Sequence, residues 1–341
     1  MRHAVSALSC LTLIAGCTGG KDAAPPRPPV HLAILATIGD SGSTIEGIAE
    51  HRGLLYVCDW KDGTIYRIDP RAPTPVAVGG LPVAPGTAVL GMATDPAGNL
   101  YLAVPEPGVV YRVAADRLGA ADFDRAKDAT AFVTGAPGAN SIEFDAAGRL
   151  WISGGPTGSI YQVGPAGGAA TVAASGYATF SPDTTVPVRI YLTNGLDFDR
   201  DGALYTLNTG TGEVTRLVIG AGFVAESVTT FASDPRLVGA DGLLIDDAGN
   251  TWVTANYRNT LARLDRSGNV TIVASSTPGG ALTDTTMAAA FPQTGEGNVL
   301  RFPAEFVLLR DTVYIANLNF PIGANAGQPV PGATVAAVAL H

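Results

Sequence analysis

Apolar and polar residues alternate in short runs along most of this chain, which is the pattern of half-buried β-strands. One set of runs has a shared form. It comprises GTIYRI (63–68), GVVYRV (108–113), GSIYQV (158–163), GEVTRL (212–217) and NTLARL (259–264). No long segment has the periodicity of an amphipathic helix. The pattern therefore predicts an all-β protein.

A second phrase precedes these runs and ends in an aromatic residue. The aromatic residues are Tyr56, Tyr101, Trp151, Tyr205, Trp252 and, in a degenerate sixth copy, Tyr314. A glycine stands three residues before each of the first five, and most of these glycines follow an aspartate, as in DPAGNLY (95–101). Asp-x-x-Gly predicts a hairpin turn between two strands. We interpret the aromatic residues as packing between neighbouring units rather than as a stacking ladder for a ligand.

The glycines of this phrase recur at a regular interval. Gly53, Gly98, Gly148, Gly202 and Gly249 are 45 to 54 residues apart. Such a period is typical of a four-stranded blade of a β-propeller. We predict a six-bladed β-propeller of four-stranded antiparallel blades over residues 30–341. The segment Val30–Ile38 is predicted to complete the sixth blade and so remove the exposed edges. Inserts near 114–135, 171–192 and 274–301 are predicted to be rim loops.

The start of the chain has the pattern of a secretion signal. An apolar run from Ala4 to Leu13 is too short to span a bilayer. The segment LIAGC (13–17) resembles a bacterial lipobox, in which cleavage before Cys17 leaves its thiol for lipid attachment. An ordinary signal peptide that happens to contain a cysteine is the alternative.

These features divide the chain into three parts. We predict a lipoprotein signal peptide at 1–16, a lipidated cysteine with a Pro-rich tether at 17–29, and the propeller at 30–341. The lipid would be the only contact with a membrane, in the bacterial cell envelope. Because Thr18 is not aspartate, the outer membrane is favoured.

Composition restricts the partners and the chemistry. The net charge of −9 argues against nucleic acid, whose phosphates require basic patches. Cys58 lies in an apolar run and is expected to be a buried, inert thiol without a disulfide. The four histidines stand in the signal, at the start of the propeller, in a turn and at the chain end. They offer little for a Ser-His-Asp triad or a histidine-based zinc site.

Polar residues stand at the predicted start of four first strands. Glu46, Asn140, Asn194 and Asp241 lie seven or eight residues before the glycine of their copies, and Leu90 holds this position in the second copy. First strands line the channel of a propeller, so we expect the four side chains to converge there. Two carboxylates and two amide carbonyls suit a hard divalent cation such as Ca²⁺ or Mg²⁺. The alternative is that Asp-Gly and Asn-Gly pairs only start strands.

The phrases around these residues resemble those of the SMP-30/gluconolactonase family. They are Glu46-Gly47-Ile48, Asn140-Ser141, Asn194-Gly195-Leu196-Asp197-Phe198 and Asp241-Gly242-Leu243. The resemblance implies a six-bladed propeller with one channel cation and hydrolysis of sugar lactones and related esters. It implies that Glu46, Asn194 and Asp241 are metal ligands, that Asp241 is also the general base, and that Asn140 contacts substrate or metal-bound water. Ca²⁺ is favoured, with Zn²⁺ or Mg²⁺ as alternatives.

Two departures from the family pattern concern the substrate. The family commonly has an arginine two residues before the blade-three asparagine and an aspartate after it, whereas this chain has Gly138 and Ser141. Because those groups help to hold a polar sugar, their absence argues against sugar lactones more than against the metal. Candidate replacements on the same rim are Arg189, Asn208, Asn256, Tyr257 and Arg258.

We therefore expect an envelope-anchored, metal-dependent hydrolase that acts on a small lactone or a related ester. One alternative is a non-catalytic propeller that binds a ligand or a protein partner in the envelope. Another is a cation that only braces the channel.

Overall fold

The computed structural model describes residues 30–276, 299–325 and 332–340. The predicted signal peptide, Cys17 and the tether lie outside the described residues, as does most of the insert near 274–301. In the described part, one short α-helix spans Arg125–Asp128. The 3₁₀ helices there are Gly155–Thr157, Pro187–Ile190, Pro235–Leu237, Asn256–Arg258 and Gly323–Asn325. None of these helices has the length and hydropathy needed to cross a membrane.

Six antiparallel sheets form the six blades of a β-propeller, which confirms the predicted fold. The first half of the chain contains β1 (His31–Ile38); β2 (Ile48–His51), β3 (Leu54–Cys58), β4 (Thr64–Asp69) and β5 (Ala72–Gly80) of blade one; β6 (Met92–Thr94), β7 (Leu100–Val104), β8 (Val109–Val113) and β9 (Ala129–Thr134) of blade two; and β10 (Ile142–Phe144), β11 (Leu150–Ser153), β12 (Ile160–Val163), β13 (Gly168–Ala169) and β14 (Thr171–Ala174). Blade three consists of β10, β11, β12 and β14, while β13 pairs in parallel with β9 of blade two.

The second half of the chain forms blades four to six. Its strands are β15 (Leu196–Phe198), β16 (Leu204–Asn208), β17 (Glu213–Ile219) and β18 (Ala225–Ser233) of blade four; β19 (Ala240–Ile245), β20 (Thr251–Ala255), β21 (Thr260–Leu264) and β22 (Val270–Ser275) of blade five; and β23 (Pro303–Leu309), β24 (Thr312–Asn317) and β25 (Ala333–Ala339) of blade six. The first strand of each blade lies at the centre, and neighbouring first strands contact one another around the ring.

Strand β1 completes the sixth blade. It pairs antiparallel with β25, from His31 opposite Ala339 to Ile38 opposite Ala333. The outermost strand of this blade therefore comes from the start of the propeller and the other three from its end. Because β23 contacts β2 of blade one, the ring is closed. The predicted role of Val30–Ile38 is confirmed.

The Asp-x-x-Gly phrase forms the predicted hairpin turn. In the second copy the Gly98 backbone N–H donates to the Asp95 carbonyl at 2.8 Å. Gly98 has φ +85°, a conformation that favours glycine because it has no Cβ. The Asp95 Oδ2 atom accepts a hydrogen bond from the Tyr101 hydroxyl at 3.1 Å. The indole N–H groups of Trp151 and Trp252 donate to Asp145 and Asp246 in the same way. The aspartate thus ties each turn to its aromatic residue.

The aromatic residues of the phrase pack between blades. Tyr101 of blade two lies edge-to-face against Phe144 of blade three, with ring centroids 4.9 Å apart. Trp151 of blade three makes the same kind of contact with Phe198 of blade four, at 5.5 Å. The interpretation of these residues as packing groups is confirmed.

Two of the predicted rim loops contain strands, and the prediction was wrong in those parts. Segment 114–135 includes β9, which pairs with β8, and segment 171–192 includes β14, which pairs with β12. Each is the fourth strand of its blade. A long connection that contains the helix Arg125–Asp128 precedes β9 and displaces it from the repeat spacing. The remainder of the second insert connects blades three and four.

Candidate metal centre

The strand register places the four predicted residues at equivalent positions. Each aromatic residue of the phrase pairs with one residue of the first strand of its blade. From blade one to blade six, the pairs are Tyr56 with Ala49, Tyr101 with Ala93, Trp151 with Glu143, Tyr205 with Asp197, Trp252 with Leu244, and Tyr314 with Val307. Three residues before these partners stand Glu46, Leu90, Asn140, Asn194, Asp241 and Ala304. Blades two and six therefore contribute an apolar residue, and the other four contribute an oxygen donor.

Glu46, Asn140, Asn194 and Asp241 line one cavity of about 230 Å³ at the end of the channel, which we name the upper cavity. All four residues are 2–3% exposed. Backbone hydrogen bonds to the second strands fix two of them, from Asn140 N–H to the Ser153 carbonyl at 2.8 Å and from Asn194 N–H to the Leu207 carbonyl at 2.9 Å. Residues from four different blades therefore meet at one place.

Each of these residues has a buried oxygen without a hydrogen-bond partner in the part of the chain that the structure describes. The atoms are Glu46 Oε2, Asn140 Oδ1, Asn194 Oδ1, Asp241 Oδ1 and, on the same cavity, Asn256 Oδ1. All five are acceptors, so they cannot satisfy one another. A buried polar atom without a partner costs about 1–3 kcal/mol. A hard divalent cation would satisfy several such oxygens and balance the two carboxylates, so these residues fit one.

The donor set is unusual in relying on amides. In the part of the chain that the structure describes, no group of three or more His, Cys, Asp or Glu side chains is arranged to hold a metal. A cation in the upper cavity would therefore depend on asparagine carbonyl oxygens as well as on Glu46 and Asp241.

Two further side chains orient the predicted ligands. Asn256 Nδ2 donates to Asp241 Oδ2 at 2.8 Å, and Asn194 Nδ2 donates to Thr209 Oγ1 at 3.0 Å. Each interaction leaves one oxygen of the ligand, Asp241 Oδ1 or Asn194 Oδ1, without a partner among the described residues. Such partners fix the orientation of metal ligands. Sequence analysis did not assign these roles, although a signal exists. Thr209 and Asn256 both stand four residues after the aromatic residue of their blade.

Burial raises the pKa values of both carboxyl groups. The pKa of Glu46 lies well above its usual range, mainly because of burial and also because of the charges of Asp241 and Glu305. Burial raises the pKa of Asp241 to about 7, against the hydrogen bond from Asn256. Two negative charges are therefore costly here without a cation.

One residue further along each first strand, a layer of small residues closes the channel. Its members in blades one to five are Gly47, Gly91, Ser141, Gly195 and Gly242, which we name the glycine layer. The Gly91 backbone N–H donates to the Asn140 carbonyl at 2.9 Å, and Gly195 donates to the Asp241 carbonyl at 2.7 Å. A Cβ on Gly91 would lie 2.4 Å from the Asn140 carbonyl oxygen. This close approach requires glycine and fixes the backbone of the predicted ligands.

Glu305 is the sixth member of this level and was missed by sequence analysis. It is 8% exposed, and its Oε2 atom accepts from the Met92 backbone N–H at 3.1 Å. Burial raises the pKa of Glu305 to about 8, although its interactions with Ser141 and the Met92 and Ile48 backbones lower it. Because the other blades carry small residues at this level, the repeat gave no signal for a carboxylate there.

Below the glycine layer lies a second cavity of about 240 Å³, the lower cavity, which Glu143, Asp197 and Glu305 line. Burial raises the pKa of Glu143 to about 8 and that of Asp197 to about 6. Glu143 accepts from the Phe144 backbone N–H, and Asp197 accepts from the Ile245 backbone N–H at 2.6 Å. These carboxylates thus have backbone donors, unlike the oxygens of the upper cavity.

Most of the candidate replacements for sugar-binding groups lie elsewhere. Asn256 lines the upper cavity, but Arg189, Asn208, Tyr257 and Arg258 do not. Asn208 accepts from the Gly210 backbone N–H at 3.1 Å and donates to the Thr179 carbonyl at 2.9 Å, so it holds a turn. Tyr257 packs in an apolar cluster with Phe302. These four residues therefore do not line the cavity, although Val188, Ile190 and Asn256, which neighbour Arg189 and Tyr257 in the chain, do.

The family model for the SMP-30/Gluconolactonase/LRE-like region matches residues 127–287. This match confirms the resemblance that the channel residues predicted. No curated protein matches the chain in sequence.

Solved structures show the same fold at low sequence identity. A luciferin-regenerating enzyme is 16% identical with a TM-score of 0.62, and the match covers 90% of this chain and 94% of that chain. A gluconolactonase from Xanthomonas campestris is 17% identical with a TM-score of 0.58, over 92% and 95% of the two chains. Virginiamycin B lyase from Staphylococcus aureus is 12% identical with a TM-score of 0.57, over 92% and 100%. These likenesses show a shared propeller fold.

Proposed function

We propose that this protein is a divalent-metal-dependent hydrolase of lactones or related esters. The observation that carries the proposal is the group of five buried acceptor oxygens around the upper cavity. The family match over residues 127–287 and the fold likeness to a gluconolactonase support the same class of activity.

Glu46, Asn194 and Asp241 would hold the cation, and Asn140 would face the substrate. Ca²⁺ is favoured because all the donors are hard oxygens. When bound, the cation would polarise the carbonyl of the ester and favour ionisation of water. Thr209 and Asn256 would keep the ligand oxygens of Asn194 and Asp241 directed at it.

Asp241 would act as the general base. Its Oδ2 atom is held by Asn256, whereas Oδ1 has no partner among the described residues. The oxygen of a water molecule would bond to the carbonyl carbon while the Asp241 carboxylate accepts the proton. The ester C–O bond would then break, and the proton would pass from Asp241 to the leaving alkoxide oxygen. One water is consumed, a lactone becomes a hydroxy acid, and Asp241 returns to its ionised form.

Elemental analysis of the purified full chain, followed by turnover assays on a panel of lactones and esters, tests the proposal. We expect about one equivalent of divalent metal, and we expect Asp241→Asn and Glu46→Gln to lose the metal and most of the activity. Glu143→Gln is the matched control, because it removes a channel carboxylate of the lower cavity. Native protein without metal would contradict the metal centre. Metal without turnover, together with melting that depends on a chelator, would support a cation that only braces the channel.

We infer separately that Cys17 carries a lipid that anchors the protein in the envelope, with the outer membrane favoured. The support is the lipobox-like segment LIAGC at 13–17. Cells grown with labelled palmitate should label the native protein in the membrane fraction. Cys17→Ser should lose the label, whereas Cys58→Ser, which alters a buried cysteine of the propeller, should keep it. Equal labelling of the two variants would refute the inference.

A further inference from the structure

Above the five oxygens, the walls of the upper cavity are apolar. Trp60 comes from blade one, Leu90 from blade two, Val188 and Ile190 from the connection between blades three and four, and Phe302 and Phe320 from blade six. In the described part of the chain, no Lys, Arg or His side chain lines this cavity. The polar groups are thus concentrated at one end, below an apolar enclosure.

The walls offer few groups that could bind a hydroxyl of a substrate. The indole N–H of Trp60 already donates to the Val89 carbonyl at 2.6 Å. Tyr191 also lines the cavity and contributes one hydroxyl group. One such donor suits a single ester oxygen better than the several hydroxyls of a sugar.

The two positions that depart from the family pattern cannot supply the missing groups. Gly138 has φ +74°, and a Cβ there would lie 2.4 Å from the Gly154 carbonyl oxygen. A long side chain at this position would therefore require the backbone to move. Ser141 lines the lower cavity, on the other side of the glycine layer. Neither position therefore supplies a positively charged side chain or a carboxylate to a substrate in the upper cavity.

We propose that the substrate is a small lactone or ester with an apolar substituent, and that polyhydroxylated sugar lactones are poor substrates. This inference rests on the proposed hydrolase function and specifies its substrate class. The carbonyl end would lie at the oxygens, and the substituent would lie against Trp60, Ile190 and Phe320. Each sugar hydroxyl buried against these walls without a partner lowers affinity by roughly tenfold or more.

The size of the upper cavity limits the substrate. An apolar cavity of roughly 150 Å³ accommodates benzene, so about 230 Å³ has room for a lactone ring and a few carbons. Ile190 lines the cavity and is 46% exposed. A longer chain would therefore pass Ile190 and reach solvent.

The test is a substrate series on the purified full chain with Ca²⁺ present. The compounds are γ-lactones with alkyl side chains of increasing length, with glucono-δ-lactone as the polar comparator. We expect kcat/KM to rise by about three- to fourfold per methylene until the cavity is filled, and to be at least about 100-fold lower for glucono-δ-lactone.

Two variants test whether the dependence of kcat/KM on chain length arises from the apolar wall of the upper cavity. Ile190→Asn should reduce the dependence on chain length to less than about twofold per methylene, without loss of metal. Val76→Asn is the matched control, because Val76 is 48% exposed on the outer strand β5 and does not line the cavity. It should keep the native dependence.

The outcomes separate the two proposals. Faster turnover of glucono-δ-lactone than of every alkyl lactone overturns the substrate class while the hydrolase function stands. If kcat/KM depends on the alkyl chain length in Ile190→Asn as it does in the native protein, the proposal that the substituent lies against Ile190 is overturned. Absence of turnover for every lactone and ester overturns the proposed function itself, and the substrate class with it.

Discussion

Replacement of Thr209 by valine tests whether the ligand Asn194 is held in place by its neighbour. Thr209 is 1% exposed, and its hydroxyl accepts the Asn194 Nδ2 hydrogen bond at 3.0 Å. Valine has nearly the same shape but cannot accept this bond. The Asn194 amide would lose the interaction that distinguishes its nitrogen from its oxygen, and it could turn its nitrogen toward the cation.

The expected magnitude follows from this geometry. Removal of a group that orients a metal ligand typically lowers metal affinity by about 10- to 100-fold, or about 1.4–2.8 kcal/mol. Without cation, the variant should also lose about 1–3 kcal/mol of stability, because a buried amide N–H is left without an acceptor. The stabilisation by excess Ca²⁺ should shrink in proportion to the lost affinity.

Calorimetric titration of chelator-treated protein with Ca²⁺, together with urea unfolding, measures both quantities. Thr260→Val is the matched control, because Thr260 is also 1% exposed but its hydroxyl has no partner among the residues that the structure describes. This control should bind Ca²⁺ like the native protein and be equally or more stable. Native affinity in Thr209→Val, or an equal loss in Thr260→Val, would refute the role of Thr209.

Three further predictions concern the channel and the core. Gly91→Ala should lower the free energy of unfolding by about 2 kcal/mol or more, because its Cβ would lie 2.4 Å from a backbone carbonyl oxygen; in urea melts Gly42→Ala, with no neighbour closer than 3.4 Å, should change little. Glu305 has a folded pKa raised from 4.5 to about 8, so its contribution to stability is fully present below pH 4.5 and is lost as the pH rises through 8. In chelator, Glu305→Gln should therefore flatten the fall in stability between those pH values, and an unchanged slope would contradict this. The Cys58 thiol is 0% exposed and burial raises its pKa, so a thiol reagent should modify it only in denaturant.

The repeat made the fold and much of the site predictable from sequence. A hairpin of nearly constant length fixes the number of residues between the start of the first strand and the aromatic residue. The same number of residues therefore located Asn140, Asn194 and Asp241 on equivalent strand positions. Glu46 lies one residue closer to the aromatic residue of its blade, because the hairpin turn of blade one is one residue shorter. In blade six the turn has the same length as in blade one but lacks the glycine, and strand pairing was needed to identify Ala304 as the equivalent residue.

Residues outside the repeat could not be located in this way. Val188 and Ile190 lie in the long connection between blades three and four, whose path depends on tertiary packing. Glu305 stands at a level where the other blades carry glycine or serine, so no pattern marked it. The apolar character of the upper cavity therefore became visible only when these separate segments were brought together.

The way in which β1 closes the ring also determines the face of the propeller on which the chain enters. Strand β23 runs from the upper cavity toward the lower cavity, and the antiparallel order of blade six makes β1 run the opposite way, with His31 beside Ala339. The chain thus enters the propeller on the face that carries the lower cavity. The proposed lipid on Cys17 would therefore be attached on the side of the lower cavity, opposite the entrance of the upper cavity.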